Sequence, residues 1–482
     1  MGNKLEHPDV ELPPEKLVMV TGGNTGLGYE TARSIAEKGA RVCIACRSED
    51  KAKDAIERMQ KEHKNEVLKS RSVRASGQHS STAEEAEVKP LNVEYIKLDL
   101  SSLQSTMDFI RETKQRMQSL NVLVCNAGIA FVQQGYTEDN YELHFQVNYL
   151  SHFLIALHLM PLLRAGAPDS RIVFLSSVAH SSGKLDLDNM QCRKSYSRYG
   201  AYASSKAYVV MAACLLARRL KGTGVSTFAV DPGVVNTDIQ RNFSDWRLLS
   251  FFMGAYSKMG MMRTPKKGAA TSVVACIQPS LSGRTAVFMK NCQPANPASF
   301  CRDEANQEKL WNYTLGCLSQ FINDDALKEA FPFAEPDLLV IPKNTETVEE
   351  QIADELGKQE GSPDGKEGCQ PRGGEASFAS KKEETEPEKE HPSEAAEVAS
   401  ETVQITQEAN GYSSGEKMRG DAPEDEEKPT RCEVAGEERS EKEPSSEGAE
   451  KTSETIHIMQ EGNGDASGVK MQGDAPEDKE KE

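Results

Sequence analysis

The sequence predicts an α/β fold, a doubly wound parallel sheet of about seven strands with helices on both faces, followed by a disordered acidic tail. Three observations predict it. Short β-branched runs alternate with helix-period segments through residues 14–343, the pattern of right-handed crossovers in a covered parallel sheet. A glycine-rich turn lies between the first strand and the first helix. Charge is also divided unevenly. The 482 residues carry a net −18, yet residues 345–482 alone hold about 39 acids against about 16 bases. The front part is therefore near neutral, and it is long enough for one large core.

The elements follow in order. Residues 1–13 are a polar extension with no apolar core of a signal peptide, and Glu6 leaves the myristoylation pattern after Gly2 incomplete. Lys16 to Gly22 reads as a strand and Leu27 to Lys38 as a helix. Arg41 to Cys46 is the second strand, and Ser48 to Lys61 a charged helix. Residues 62–92 are polar and without period, so they read as a disordered insertion in the domain. Val93 to Leu100 is a strand, Leu103 to Met117 a helix, and Asn121 to Cys125 a strand. A long helical pattern then runs to about Leu163. Arg171 to Ser176 is a strand and Tyr199 to Leu220 a helix. Val225 to Val230 and Thr285 to Met289 complete the sheet.

From residue 344 the chain is Glu, Ser, Gly, Pro and Lys with few apolar side chains, too few to offset the entropy of ordering. Ser393–Lys428 and Ser446–Lys481 repeat each other, without the apolar faces that stacked repeats need. The segment is expected to solubilise the chain or to bind a protein partner. No stretch approaches the length of a membrane span. The eleven cysteines show no disulfide framework, which fits a reducing compartment, and Cys43 and Cys46 fall in an apolar strand as buried thiols. An acidic tail and a front without basic runs argue against nucleic acid.

Chemistry concentrates at strand ends. In the turn Thr21-Gly22-Gly23-Asn24-Thr25-Gly26-Leu27-Gly28, glycines allow close approach to a pyrophosphate, and the next helix offers its N–H groups. Gly22, Asn24, Gly26, Leu27 and Gly28 are the candidate cradle. The second strand ends in Cys46-Arg47, with no acid for a ribose 2′-OH. Arg47 suits a 2′-phosphate, so NADP(H) is favoured and NAD(H) is the alternative, with Lys51 or Lys53 assisting. A third feature is YGAYASSK, Tyr199 to Lys206. Its Tyr202 lies one helical turn before Lys206, and an ammonium there is expected to lower the phenol's pKa from about 10.

Taken in order, T-G-x-x-x-G-x-G (Thr21 to Gly28), Asp99, Asn126-Ala127-Gly128, Asn148, Ser177, Tyr202-x-x-x-Lys206 and Pro232-Gly233 resemble the short-chain dehydrogenase/reductase family, a Rossmann fold, over residues 14 to 330. ACRS (Ala45 to Ser48), HFQVNYLSHFLI (His144 to Ile155), RIVFLSSVAH (Arg171 to His180) and LARRLKGTGV (Leu216 to Val225) are similar to its retinol-dehydrogenase-like branch. DPGVVNTD (Asp231 to Asp238) resembles a polyprenol-type member. Two departures stand out: Cys125 replaces the first Asn of Asn-Asn-Ala-Gly, and residues 1–13 do not read as the branch's N-terminal membrane anchor, so fixed membrane residence is not expected.

The resemblance implies a catalytic set of Asn148, Ser177, Tyr202 and Lys206. Tyr202 would give a proton to the substrate oxygen as hydride reaches the carbon. Ser177 would bind that oxygen, with Ser176 as the neighbouring candidate. Lys206 would also hold the nicotinamide ribose, and Asn148 a water behind it. Asp99 would meet the adenine, Asn126 and Gly128 would line the cofactor, and Thr237, after Pro232 and Gly233, would reach the nicotinamide or the phosphates. Residues 236–265 correspond to the family's substrate lid. Trp246, Phe252 and Met253, with Leu249, Tyr256 and Met259, would wall an apolar pocket or rest on a bilayer. The expectation is an NADP(H)-dependent oxidoreductase of an apolar alcohol and its aldehyde or ketone, without a metal. Its expected place is the cytoplasm, or the periphery of an intracellular membrane. A polyprenol or steroid dehydrogenase is the alternative, and a non-catalytic cofactor-binding platform acting through the tail is another.

Overall fold

Strand pairing in the computed structural model, which describes residues 10–76, 87–235, 262–335 and Leu339, gives one eight-stranded sheet. Its strands are β1 (Leu17–Thr21), β2 (Arg41–Cys46), β3 (Val93–Lys97), β4 (Val122–Cys125), β5 (Ser170–Leu175), β6 (Val225–Asp231), β7 (Val287–Lys290) and β8 (Gln293–Ala295). The spatial order is β3-β2-β1-β4-β5-β6-β7-β8. All neighbours pair in parallel except β7 and β8. The chain moves outward one way from β1 through β2 to β3, then crosses back to β4. That reversal opens a crevice at the carboxyl ends of β1 and β4.

Every residue of β1, β4, β5 and β6 is buried, because helices cover both faces. Alternation divides β2 between the two cores. Cys43 packs into one and Cys46 into the other, so these thiols stand on opposite faces of the sheet. The eighth strand lacked a sequence signal because it has three exposed residues and includes Pro294. It is an edge strand, where proline is tolerated. Asn291 and Cys292, both at positive φ, turn the chain back to form it.

The helix α1 spans Gly26–Ala36 and α2 spans Glu49–Ser76. The sequence places the end of α2 near Lys61 and an insertion without structure after it. The structure corrects this, because the helix continues to Ser76. Arg33 of α1 supplies the physical reason. Its guanidinium is buried and pairs with Glu30 and Glu37 on its own helix and with Glu62 and Glu66 on α2. Burial works against the charge, but the carboxylates outweigh it and raise the Arg33 pKa. Two of these four partners exist only if α2 runs on past Lys61.

Helix α3 is Leu103–Arg116. The long helical pattern after β4 resolves into a π-helical turn, Phe145–Leu150, then α4 (Ser151–His158) and α5 (Met160–Ala165). Helix α6, Arg198–Arg219, starts at Ser197, whose side chain accepts a hydrogen bond from the Gly200 N–H. Against the sequence reading that no stretch nears span length, it is the one described helix long and apolar enough to cross a membrane, and most of it is buried in the core. Helices Pro265–Ile277, Ser299–Arg302, Glu304–Cys317 and Asp324–Ala330 complete the domain. The sequence-derived tail, the remainder of the insertion and most of the lid lie outside the described residues. So do Thr237, Trp246, Leu249, Phe252, Met253, Tyr256 and Met259.

Candidate active site

A cleft of about 730 Å³ occupies the crevice at the strand ends. Its lining includes Gly22, Asn24, Gly26, Leu27, Gly28, Arg47, Asp99, Asn126 and Gly128. The glycine turn is shaped for close approach. Gly22 has φ +66°, and a Cβ on Gly28 would stand 2.3 Å from the Gly22 carbonyl oxygen. Backbone here can therefore meet a phosphate directly. Thr21 organises the adjoining strand end. Its Oγ1 accepts from the Asn126 and Ala127 N–H groups at 2.9 and 3.0 Å, and Asn126 Nδ2 donates to the Thr21 carbonyl at 2.7 Å. Asp99 accepts from the Ser101 N–H and hydroxyl at 3.0 and 2.7 Å, which fixes its carboxylate at the rim. The cleft shape and its lining fit a dinucleotide.

At the second strand end, Arg47 is exposed and Lys51 also lines the cleft. Lys53 instead pairs with Glu49 at 2.7 Å on the outer face of α2. Of the two lysines read from the sequence, Lys51 is thus the one at the cleft. Pro232 and Gly233, just after β6, are not among the residues lining this cleft; the Gly233 N–H donates to Asp231 at 2.9 Å, and the Arg263 guanidinium packs on Gly233.

The four catalytic candidates lie together behind Gly128, beyond the residues that line this cleft. Tyr202 and Lys206 share a face of α6. A Cβ on Gly128 would lie 2.9 Å from Asn148 Oδ1 and 3.4 Å from Lys206 Nζ. The loop after β4 therefore joins the cofactor cleft to the catalytic group. Ser177, just after β5, lies beside Tyr202, where its hydroxyl favours the ionised phenol. Ser176 is committed elsewhere: its hydroxyl donates to the Lys206 carbonyl at 2.8 Å. The Asn148 side chain is also fully engaged. Its Oδ1 accepts from the Ile129 N–H at 2.8 Å, and its Nδ2 donates to the Ile129 carbonyl and Ser205 Oγ. Ser205 Oγ donates in turn to the Tyr202 carbonyl. Asn148 thus clamps the loop after β4 to α6.

Electrostatics correct one expectation. The Tyr202 pKa is not lowered in the protein alone; burial pushes it up to about 12, with the Ser177 hydroxyl pulling the other way. Lys206 does not reverse this. Its ammonium donates to the Leu175 carbonyl at 2.9 Å, 5.8 Å from the centre of the Tyr202 ring. Burial also lowers its own pKa to about 8. Near neutral pH the site holds a protonated phenol beside a mostly charged amine, an arrangement suited to donating a proton.

The family model described as short chain dehydrogenase matches residues 16–93 and 69–248. Human retinol dehydrogenase 12 is 35% identical over 303 residues, covering 62% of this chain and 85% of that protein. Human retinol dehydrogenase 11 is 34% identical over 309 residues, covering 63% and 86%. Human polyprenol dehydrogenase is 32% identical over 305 residues, covering 62% and 84%. The chain belongs to the short-chain dehydrogenase family. Within it the chain falls in the retinol-dehydrogenase-like branch, and it is an oxidoreductase of the alcohol and carbonyl class. The family binds nicotinamide cofactors.

Three residues of this dehydrogenase escaped the sequence reading. Arg58 lines the cleft beside Arg47 and lies 3.8 Å over the Tyr29 ring. It sits almost three turns along α2, and no motif marks it. His152 is fully buried beneath Asn148. Its Nδ1 lies 3.1 Å from the Asn148 carbonyl and its Nε2 2.9 Å from Thr21 Oγ1. Burial lowers its pKa to about 4. A neutral ring with the proton on Nδ1 satisfies both contacts. His144 lies edge-on to the Tyr202 ring, 6.2 Å between centroids, and pairs with buried Glu142 at 2.8 Å. Both histidines fall in a run that reads as an apolar helix, and only the folded chain shows what they touch.

Proposed function

We propose that this dehydrogenase interconverts an apolar alcohol and its aldehyde or ketone using NADP(H), with reduction as its favoured direction. One observation carries the reading. Tyr202, Ser177 and Lys206 lie together behind Gly128, a residue that lines the cleft and packs against Asn148 and Lys206. Folding does not require that combination.

The chain's residues divide the work. The glycine turn receives the pyrophosphate, Asp99 the adenine side, and Arg47 with Lys51 the 2′-phosphate. A bound nicotinamide dinucleotide would supply or accept the hydride. Ser177 holds the substrate oxygen by hydrogen bonding, and Tyr202 gives its phenolic proton to that oxygen as negative charge develops there. With its pKa pushed up to about 12, the phenol arrives protonated. Asn148 and Ser205 hold α6 and the cofactor loop in register, so donor and acceptor stay aligned.

A retinoid is the favoured substrate class, supported by the similarity to retinol dehydrogenases 12 and 11. A polyprenol is the second reading, supported by the similarity to polyprenol dehydrogenase and by Asp231 to Asp238. Competition of retinal with a long-chain polyprenal for NADPH turnover by the purified full chain separates them. Preference for retinal by about tenfold or more in kcat/KM supports the first. Preference for the polyprenal replaces it with the second. The acidic tail is proposed as a solubilising or partner-binding segment, so turnover should survive removal of residues 345–482.

A further inference from the structure

His180 is a buried side chain that the chemistry above leaves without a task. It lies in the short 3-10 helix Val178–Ser182 that follows Ser177. Its Nδ1 is 2.7 Å from the Ser177 carbonyl oxygen, and its backbone N–H donates to the same oxygen at 3.1 Å. On the far side of the ring, Nε2 accepts the Ala298 N–H at 3.2 Å. These contacts fix the tautomer. Nε2 faces a donor, so it carries the lone pair. Nδ1 then carries the proton and donates it to Ser177. The Phe288 ring of β7, 4.9 Å between centroids, packs on the imidazole. Burial holds the His180 pKa below its usual value, with Asp231 of β6 raising it and Lys290 of β7 lowering it. The ring is therefore neutral where the tautomer argument needs it to be.

Ser177 is thereby held from two sides. Its hydroxyl oxygen accepts the Ala179 N–H at 3.2 Å, which orients the side chain. Its carbonyl receives both His180 donors, which satisfies both lone pairs and sets the backbone. Ala298 immediately precedes the helix Ser299–Arg302, where the buried Cys301 thiol faces the Ala207 carbonyl of α6 and the Cys301 carbonyl accepts from Gln307 Nε2 at 2.8 Å.

We propose that His180 is a positioning residue: it fixes Ser177 against Tyr202 and ties that placement to the C-terminal segment beginning at Ala298. The inference rests on the reading of Ser177 as the residue that binds the substrate oxygen. His180 is buried and is not among the residues lining the cleft, so its loss should act on turnover rather than on cofactor binding.

The test uses three variants of the full chain, His180→Leu, His180→Asn and His180→Gln. Asn can restore a donor at the Nδ1 position, and Gln an acceptor towards Ala298. We expect His180→Leu to lower kcat by roughly ten- to a hundredfold while the NADPH Kd and the carbonyl KM move by about twofold or less. His180→Asn should recover most of that kcat, and His180→Gln little of it. Amide hydrogen exchange supplies a readout independent of turnover. The Ala179 N–H should exchange faster in His180→Leu and recover in His180→Asn. The Ala298 N–H should exchange faster in both. Unchanged kcat in His180→Leu, or equal losses in the Asn and Gln variants, overturns the proposal. So does unchanged exchange at both amides. If the unaltered chain reduces no carbonyl, the functional reading fails, and the exchange pattern still decides whether His180 holds Ser177.

Discussion

The Lys206 ammonium lies 5.8 Å from the centre of the Tyr202 ring and donates to the Leu175 carbonyl at 2.9 Å. It is held at the sheet end, behind the phenol, by a bond to the last residue of β5. Its charge can act on Tyr202 across that gap without sharing the phenol's proton. Burial brings the ammonium's pKa down to about 8 and takes the phenol's up to about 12. The two groups therefore lose their protons in the reverse of a free phenol's and a free amine's order.

A pH profile follows from those values. Reductive kcat/KM should be level through neutrality and fall above about pH 8, as Lys206 loses its charge while Tyr202 keeps its proton. A profile that stays flat to pH 10 would contradict the assignment of that limb to Lys206. Linkage gives a companion sign. The folded chain binds the Lys206 proton less tightly than the unfolded chain. This group's contribution to stability therefore rises as pH climbs from about 8 towards 10.5.

Cofactor preference is read from Arg47. Replacing it with Ala should raise the KM for NADPH by roughly ten- to a hundredfold, the worth of a charge-assisted phosphate contact. The KM for NADH should change little. Equal losses for both cofactors would show that Arg47 serves the fold or the pyrophosphate instead.

Close approach at the glycine turn makes a third prediction. In Gly28→Ala, the new Cβ would meet the Gly22 carbonyl oxygen at 2.3 Å and Asn126 Nδ2 at 2.4 Å. Something has to shift, and both neighbours belong to the cleft. Isothermal titration should show NADPH binding weakened by about tenfold or more. Unaltered binding would mean that the cradle is formed elsewhere.

Arg33 makes a fourth. Arg33→Ala should destabilise the domain by about 1–3 kcal/mol, because it empties a buried site and leaves its carboxylates facing one another. Hydrogen exchange should rise most in residues 62–76 of α2. Thermal unfolding and exchange together check this, and loss of stability without local opening of α2 would contradict it.

The parallel sheet and the shared face of Tyr202 and Lys206 were legible because each depends on local pattern. A buried strand is a β-branched run, and Tyr202 and Lys206 share a helix face at a spacing of four. What was hidden depends on partners far along the chain. The end of α2 is set by Arg33, some thirty residues earlier, so polarity alone suggested a loop there. The Tyr202 pKa is set by burial and by Ser177, which its helix spacing to Lys206 does not disclose. Asn148 reads as a lone helical amide until Ile129 and Ser205 are seen on either side of it.

The central claim is that Tyr202 donates the proton in an NADPH-dependent reduction. Its most direct measurement compares the unaltered chain with Tyr202→Phe, following NADPH and NADH oxidation with retinal, other long apolar aldehydes and steroid ketones. We expect NADPH to outperform NADH, and Tyr202→Phe to bind NADPH normally while losing about 10²–10⁴-fold in kcat. If no carbonyl is reduced while NADPH still binds, or if Tyr202→Phe turns over like the unaltered chain, the claim is wrong.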